Sequence, residues 1–453
     1  MNIIIHRYNS ICEPDYIRAF KTIGLDVIED TEEMVNKSIS AQRRVDTMAE
    51  LILTHRPLFV FSINYFPYIS MVCEKLHVTY VAVSVDCPVD EIYDISIRNS
   101  CNKIFLFDRA QYLSVKDENP TGIFHLPLGV DAGRIDGEIG EFNTGSEGYS
   151  TDLNNTDASE TKILPVASQP LDFHPKGYHE VVDSLGYPGA ASHHKWCDMR
   201  RFAQNDNNYD YDISFIGSLY NEKDPYANLS LSEIERVRFN SLIDEQFHLP
   251  GLSLIEEKLT AKDVDIFKKL DPDFPDNKYC IRNMDITHIT DHYLSYHLTH
   301  MDRVSLLNHL AMELPEYKVH LFTRSNTDEL KDVICHGGVS SHVEMPRVFR
   351  TSRINLNTTM RAIRTGLPQR IWDVLGSGGF LLTNAQTEIP EFLQIGTHLD
   401  VYETQEELAE KCRYYLTHED ERRQIAINGY LAVKKDHTVL NRVISMISII
   451  SNG

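Results

Sequence analysis

The chain has 453 residues, more than one hydrophobic core usually fills, so two domains are expected. Its 44 basic and 66 acidic residues give a net charge of -22, which argues against nucleic acid or an anionic membrane as a partner but leaves room for a local phosphate pocket. The eight cysteines form no CxxC pair, and no stretch approaches about eighteen apolar residues. We therefore expect a soluble cytoplasmic protein with reduced thiols and no membrane span.

The first 131 residues alternate short apolar runs with helical patterns. Strands separated by helices form parallel βαβ units, so this part is predicted to be a doubly wound, Rossmann-like domain. The helical patterns cover residues 13–24, 45–55, 68–76 and 92–99. The apolar runs predict strands at 2–5, 58–63, 78–85, 103–107 and 123–128.

Residues 132–210 are predicted to be an acidic, irregular insertion or linker, with one short helix at 179–184. The composition changes to Gly, Ser, Thr and Asn after residue 133, and acids far outnumber bases. A loop of this length is either functional or disordered, and the pattern does not choose between them. His193, His194 and Cys197 lack a fourth ligand at suitable spacing, so we predict no zinc site there.

Residues 211–436 predict a second Rossmann-like domain with a helical insertion at about 224–297, and residues 437–453 a terminal helix that packs back on the first domain. Thr404 and Glu407 are spaced as a capping box before a helix. Three Asp-x-Asp triplets occur, but none follows an apolar strand, so no metal site is predicted. The predicted strands are at 212–216, 318–322, 354–356, 380–383 and 398–402.

The segment 352–391 has the order of elements from which an open α/β domain builds a phosphate site. A short apolar strand is followed by a polar loop with two arginines, then by a helix that begins after Gly366 and ends at a glycine turn, 376–379. Ligands bind beyond the carboxyl ends of such strands, and a helix amino-terminus offers unpaired N–H groups. The alternative is that the glycines only cap the helix and turn the chain.

Several segments in order resemble the spore maturation protein CgeB-like glycosyltransferases. In the second half these are DISFIGSLYNEK, DRVSLLNHLA, VHLFTRS, MPRVFRTSRINLN, GLPQRIWDVLGSGGFLLTN and EELAEKCRYYLTHEDERRQIAINGY; in the first half, FSINYFPYIS, SVDCP, NKIFLFDR and HLPLGVD. The resemblance implies two Rossmann-like domains facing across a cleft (GT-B type), with the donor in the second and the acceptor mostly in the first. It also implies sugar transfer from a nucleotide-sugar, expected to be UDP-linked, without a metal or other cofactor.

The candidate donor-binding residues lie just beyond predicted strand ends of the second domain or on adjacent helices. Asp373 resembles the carboxylate that accepts hydrogen bonds from the ribose in related retaining transferases, with a solvated helix acid as the alternative. The Glu that usually stands eight residues earlier is replaced by Thr365. Each arginine alone could instead form an ordinary ion pair, and residues 336–339 a plain turn. The candidates are Gly217, Ser218, Lys223, Arg303, Arg324, Ser325, His336, Gly338, Val339, Asn357, Thr358, Arg361, Arg364, Asp373 and Gly378.

Three residues of the first domain are candidates for catalysis: His6, Asp15 and Asp86, each at or beyond the carboxyl end of a predicted strand. An inverting transferase would need one of them as a general base. A retaining enzyme, which the resemblance favours, would not, because the leaving phosphate can take the proton. Two other functions stay open: a non-catalytic nucleotide-sugar-binding partner of an active transferase, favoured by Thr365, and a nucleotide-sugar epimerase.

Overall fold

The computed structural model describes residues 1–36, 38–137 and 209–452. The predicted helix at 179–184, most of the acidic segment and the group His193, His194 and Cys197 lie outside the described residues. The described chain forms two α/β domains, each built on a six-stranded, fully parallel sheet. The predicted fold class, two Rossmann-like doubly wound domains, is confirmed.

The first sheet has the strand order β2-β1-β3-β4-β5-β6. Its interior strands are buried along their whole length, as expected for a parallel sheet covered by helices on both faces. The strands are β1 (Asn2–His6), β2 (Asp26–Asp30), β3 (Phe59–Ile63), β4 (Thr79–Val83), β5 (Asn102–Leu106) and β6 (Ile123–His125). The helices are α1 (Glu13–Thr22), α2 (Glu32–Val35), α3 (Ala41–His55), α4 (Pro67–Leu76) and α5 (Arg109–Val115).

The second sheet has the order β12-β11-β10-β7-β8-β9, with β7 (Tyr211–Ile216), β8 (Val319–Phe322), β9 (Ile334–His336), β10 (Ser352–Asn357), β11 (Leu381–Asn384) and β12 (Asp400–Tyr402). The helices before β8 are α6 (Glu233–Phe247), α7 (Ser253–Lys258), α8 (Ala261–Leu270), α9 (Asp285–His288), a π-helical turn (Ile289–Leu294) and α10 (Ser295–Glu313). The later helices are α11 (Glu344–Thr351), α12 (Gln369–Gly376), α13 (Ile389–Phe392), α14 (Gln405–Thr417), α15 (Glu419–Asp436) and α16 (Val439–Asn452).

Two strands were missed by the sequence reading, and both lie at sheet edges. β2 carries three acidic residues, and β9 is mostly exposed, so neither contains the continuous apolar run that marked the interior strands. The region predicted as a helix at 92–99 consists of two 3-10 turns, Asp90–Tyr93 and Ile95–Arg98. Thr404 caps α14 through the N–H of Glu407, but the Glu407 carboxylate accepts from Glu403 N at 2.8 Å, so the reciprocal bond of a capping box is absent.

The helices α6 to α8 and the segment up to Leu298 enclose an apolar cluster of their own, beside the second sheet. The terminal helix α16 returns to the first domain, where Val439, Val443 and Met446 pack with β1, β3 and α1. Burial of the apolar face of α16 therefore holds the last helix of the chain against its first strand and first helix. Within the described ranges, no helix combines the length and the apolar content needed to cross a membrane.

Candidate active site

The strand order of the second domain reverses between β7 and β10, and ligands of open α/β sheets bind at such a switch point. Arg303 of α10 bridges the two loops that leave these strands: its Nη1 donates to Ser218 O at 2.5 Å and its Nη2 to Thr358 O at 2.8 Å. The guanidinium also lies 5.2 Å from the ring of Phe215 and 4.8 Å from that of Tyr220. Burial lowers the pKa of Arg303. Arg303 thus holds the switch point together.

The loop after β7 brings the predicted donor residues Gly217 and Ser218 close to Ser325, and it carries Lys223 at its edge. Ser218 Oγ donates to Glu222 at 2.7 Å, and Leu219 N donates to Ser325 Oγ at 2.8 Å. Gly217 lies directly against Arg303, because a Cβ on it would be 3.5 Å from Nη1. Lys223 is exposed at the edge of this loop, with Nζ 6.0 Å from the Tyr220 ring. The loop is a compact polar turn with one exposed cation.

The polar side chains at the end of β10 and just after it point into the domain. Asn357 Nδ2 donates to Thr383 Oγ1 at 2.9 Å, and the Thr358 hydroxyl lies 2.9 Å from the hydroxyl of Tyr402. Both residues are buried. What this loop presents at the switch point is therefore mainly its backbone.

A second group of predicted residues lies at or just beyond the ends of β8 and β9. His336 stacks on Phe322 with ring centroids 4.4 Å apart and an interplanar angle of 10°. Gly338 lies under the exposed side chain of Arg324, since a Cβ there would be 2.6 Å from the Arg324 Cγ. Val339 packs against the neighbouring apolar cluster. His336 is thus part of an aromatic stack, and only Arg324 offers an exposed charge.

Arg361 and Arg364 are both engaged in ion pairs. Arg361 forms a bidentate pair with Asp302, at 2.7 Å for each bond, and its remaining N–H groups donate to carbonyl oxygens at the end of α6 and just beyond it. Arg364 donates to Glu256 and Asp291, each at 2.7 Å. These contacts tie the helical insertion to the β10 loop. In this arrangement Arg361 has no N–H left for a phosphate.

The helix α12 carries Asp373 and an arginine that the sequence reading missed. Gln369 Nε2 donates both to Asp373 Oδ1 and to Gly129 O of the first domain, each at 3.0 Å. Arg370 Nη1 lies 3.7 Å from Asp373 Oδ2, and its charge interacts with Arg303 and Tyr220. Burial raises the pKa of Asp373 and lowers that of Arg370. Gly378 follows α12 with a φ of 74°, a conformation that favours glycine.

The three catalytic candidates of the first domain differ in accessibility. His6 is buried, with Nδ1 2.8 Å from Asp30 Oδ2. Asp15 is buried and accepts two bonds from Arg134, at 2.9 and 3.1 Å. Asp86 is exposed and accepts a 2.7 Å bond from Asn64. Among the three, only Asp86 presents its carboxylate to solvent.

A group of aromatic rings adjoins Asp86, and sequence reasoning did not select it. The Tyr8 and Phe66 rings are 5.3 Å apart, and Phe66 and Tyr68 are 6.0 Å apart; all three are partly exposed. Asn64, at a φ of 57°, donates to both the Tyr8 hydroxyl and Asp86. Strain of this kind is found at functional sites. The sequence feature that could have pointed to these rings is the aromatic run NYFPY directly after β3.

The loop that contains Thr365 docks against the first domain. Asp108 Oδ2 accepts from Thr365 N at 3.0 Å and from Gly366 N at 3.1 Å. The Thr365 hydroxyl accepts from Ala110 N at 3.0 Å. A Glu at position 365 would bring a second carboxylate against the buried Asp108. The replacement of Glu by Thr at position 365 therefore falls at a direct contact between the domains.

Residues 303–448 match a family model described as glycosyl transferase-like. A UDP-forming alpha,alpha-trehalose-phosphate synthase from Burkholderia xenovorans superimposes with a TM-score of 0.50 at 9% identity, over 100% of this chain and 98% of that chain. A glycosyltransferase from Rickettsia africae gives 0.49 at 10% identity (100% and 99% covered), and Anabaena HepE with UDP and glucose gives 0.47 at 10% (99% and 99%). No curated protein matches the sequence significantly. Residues 303–448 thus resemble a glycosyl transferase-like domain, within a two-domain fold of GT-B type.

Proposed function

We propose that the protein is a glycosyltransferase of the CgeB-like family that moves a sugar from a UDP-linked donor to an acceptor hydroxyl. The observation that carries this proposal is the β7–β10 switch point, braced by Arg303, at the edge of a domain that matches the glycosyl transferase-like model. The UDP-forming synthase, which has a similar fold, supports uridine as the nucleotide. Sugar transfer and UDP use are therefore proposed together.

The donor would bind along the switch point with its diphosphate at the loop after β7. Arg370 is our candidate for neutralising the leaving diphosphate, because it is partly buried, its charge interacts with Arg303 and Tyr220, and its nearest carboxylate is 3.7 Å away. The backbone N–H group of Ser218 and the exposed Lys223 would add to this. Cations and N–H donors then do the work for which other transferases use a metal, so the transfer is proposed to be metal-independent. Asp373 would accept hydrogen bonds from the ribose hydroxyls.

The acceptor would bind on the first domain, over the aromatic rings of Tyr8, Phe66 and Tyr68. Asp86, held by Asn64, would orient the acceptor hydroxyl. In the retaining reaction that we propose, the bond from the anomeric carbon to the phosphate oxygen breaks and a bond to the acceptor oxygen forms on the same face. The acceptor proton passes to the leaving phosphate, so Asp86 acts as an orienting group rather than as an obligatory base.

Two contacts favour a second candidate, a non-catalytic nucleotide-sugar-binding partner. Arg361 donates its N–H groups to Asp302 and to backbone carbonyls within the protein. Thr365 stands where the resembled family has a carboxylate, and it contacts the first domain. Both contacts remove groups from the donor site without preventing a nucleotide from binding. This candidate binds the donor but does not cleave it.

Donor hydrolysis and thermal shift with a panel of UDP-sugars test the two candidates together. A ligand at 100 times its Kd stabilises the folded state by about 2.7 kcal/mol, so binding is detected even without turnover. Asp373→Ala removes hydrogen bonds to a charged group worth about 1.5–3 kcal/mol, which predicts binding roughly 10- to 150-fold weaker. The matched control Glu410→Ala removes an exposed helix carboxylate and should leave both readings unchanged. Binding without hydrolysis or transfer would support the non-catalytic partner, and no binding at all would refute both.

A further inference from the structure

One carboxylate and two imidazoles meet at the boundary between the domains. Asp90 follows β4 of the first domain, whereas His288 and His292 lie in the helical insertion of the second. Asp90 Oδ2 is 3.1 Å from His288 Nδ1, and Asp90 Oδ1 is 2.9 Å from His292 Nε2. One ligand atom from each residue lies within 4.8 Å of the others. This is the donor set from which proteins build divalent metal sites.

The two histidines are four residues apart and lie on one side of their helix. Their ring centroids are 4.5 Å apart, with an interplanar angle of 31°. His292 belongs to the π-helical turn at 289–294, and π-turns within helices are frequent at functional sites. Two histidines at this spacing on a helix are also how metalloproteases hold zinc. The helix therefore presents two imidazoles side by side towards Asp90.

Backbone pairing holds the Asp90 segment against the start of this helix. Ile95 N donates to Tyr279 O, and Ile281 N donates to Tyr93 O, each at 2.8 Å. Arg282 adds a contact over the Tyr93 ring at 4.9 Å. A metal site depends on such support, because its ligands must be positioned before the ion arrives. The support here comes from both domains.

The distances suit a tetrahedral zinc ion. Zinc bound to nitrogen or oxygen at about 2.0–2.2 Å places neighbouring ligand atoms about 3.3 Å apart. The observed 2.9 and 3.1 Å, which reach the two different oxygens of Asp90, are close to that spacing, and since all three ligand atoms lie within 4.8 Å of one another, the most distant pair has to close by about 1.5 Å at most. The Asp90 side chain is 41% exposed and the His292 side chain 27%, so water can supply a fourth ligand. Imidazole and carboxylate together suit zinc and its first-row neighbours better than magnesium or calcium.

We propose that Asp90, His288 and His292 bind a zinc ion that fastens the helical insertion to the first domain. No sequence pattern indicated this site, because Asp90 and His288 are 198 residues apart. The ion would link the two domains directly and stabilise the arrangement in which the cleft is formed. None of the three residues belongs to the proposed donor or acceptor sites, so the inference does not depend on the proposed sugar transfer.

The test is a titration of the metal-free full-length protein with zinc chloride by isothermal calorimetry, repeated with cobalt(II) and followed by absorption. The wild type should bind one zinc per chain, give the intense visible bands of tetrahedral cobalt, and unfold at a higher temperature with zinc. Asp90→Asn and His292→Gln should each weaken binding by more than about tenfold. His297→Gln is the matched control: it removes a histidine of the same helix whose imidazole pairs with a different carboxylate, Asp224, at 2.6 Å. It should bind zinc as the wild type does.

Metal-free melting curves separate loss of a ligand from loss of folding. A variant that melts like the wild type without zinc, but gains no stability from zinc, supports the site even where activity is absent. Equal zinc affinity in the wild type and in His292→Gln would overturn the proposal and leave the three residues as hydrogen-bonded Asp–His pairs. Absence of stoichiometric zinc in the wild type would overturn it equally.

Discussion

At Gly366 the backbones of the two domains lie in close contact, and Gly366→Ala should loosen that contact. A Cβ at this position would lie 2.8 Å from Asp108 Cα and 2.9 Å from Phe107 O, both main-chain atoms that cannot rotate away. Ordinary contact begins at 3.4 Å, so restoring it moves the loop back by 0.6 Å, the difference between 2.8 and 3.4 Å. Gly366 has no positive φ, so the methyl group itself is the perturbation.

That retreat has a calculable cost. It would lengthen the bonds from Thr365 N and Gly366 N to Asp108, now 3.0 and 3.1 Å, to about 3.6 Å, where a hydrogen bond is no longer made. Each bond to a charged group is worth about 1.5–3 kcal/mol. Since the two share one carboxylate and are not additive, we expect a loss of about 3 kcal/mol, or roughly 6–12 °C in Tm for domains of this size.

Differential scanning calorimetry of Gly366→Ala beside Gly337→Ala measures this loss. A Cβ on Gly337 would have no neighbour within 4 Å, so this control adds the same methyl group without a clash and should change stability by less than about 0.5 kcal/mol. A double-mutant cycle with Asp108→Ala adds a second criterion. If Gly366→Ala has already broken the Asp108 contacts, the second substitution should cost only about 1 kcal/mol, the value of a helix cap. Equal Tm values for the two glycine variants would refute the docking argument.

Two further predictions concern the same interface. Asp108→Ala in the wild type should cost about 3 kcal/mol more than Thr404→Ala, measured by urea denaturation: both remove a helix cap, but only the first leaves two interdomain N–H groups without an acceptor. A loss equal to that of Thr404→Ala would contradict this. Burial alone would raise the pKa of Glu388. Three neighbours outweigh this effect and hold the pKa below its usual range: the imidazole of His125, whose Nε2 is 2.8 Å from Glu388 Oε2, the hydroxyl of Thr365 and the N–H of Arg109. The wild type should therefore be more stable than Glu388→Gln at neutral pH, and the difference should vanish as the pH falls through the depressed pKa; a difference independent of pH would contradict this.

Much of the fold could be read from the sequence because buried parallel strands are continuous apolar runs separated by helical patterns. Ile354 to Leu356 and Phe59 to Ile63 stand out for this reason, and the order of such runs implies two doubly wound sheets. The edge strands β2 and β9 were not predicted, because a strand exposed on one side carries polar residues and lacks a continuous apolar run. Burial on both faces is therefore what made a strand visible.

The sequence by itself determined which residues leave the ends of the strands, since position after an apolar run is a local property. Gly217, Ser218 and Thr358 were identified in this way, and the strand order then brings them together. Only the tertiary structure decided what each charge does. It committed Arg361 to Asp302 and to the end of a helix, and it placed Arg370 over the ring of Phe349 and near Asp373. The physical reason is that an ion pair or a metal site depends on distances of about 3 Å between residues far apart in the chain, and such distances exist only once both domains have folded and docked.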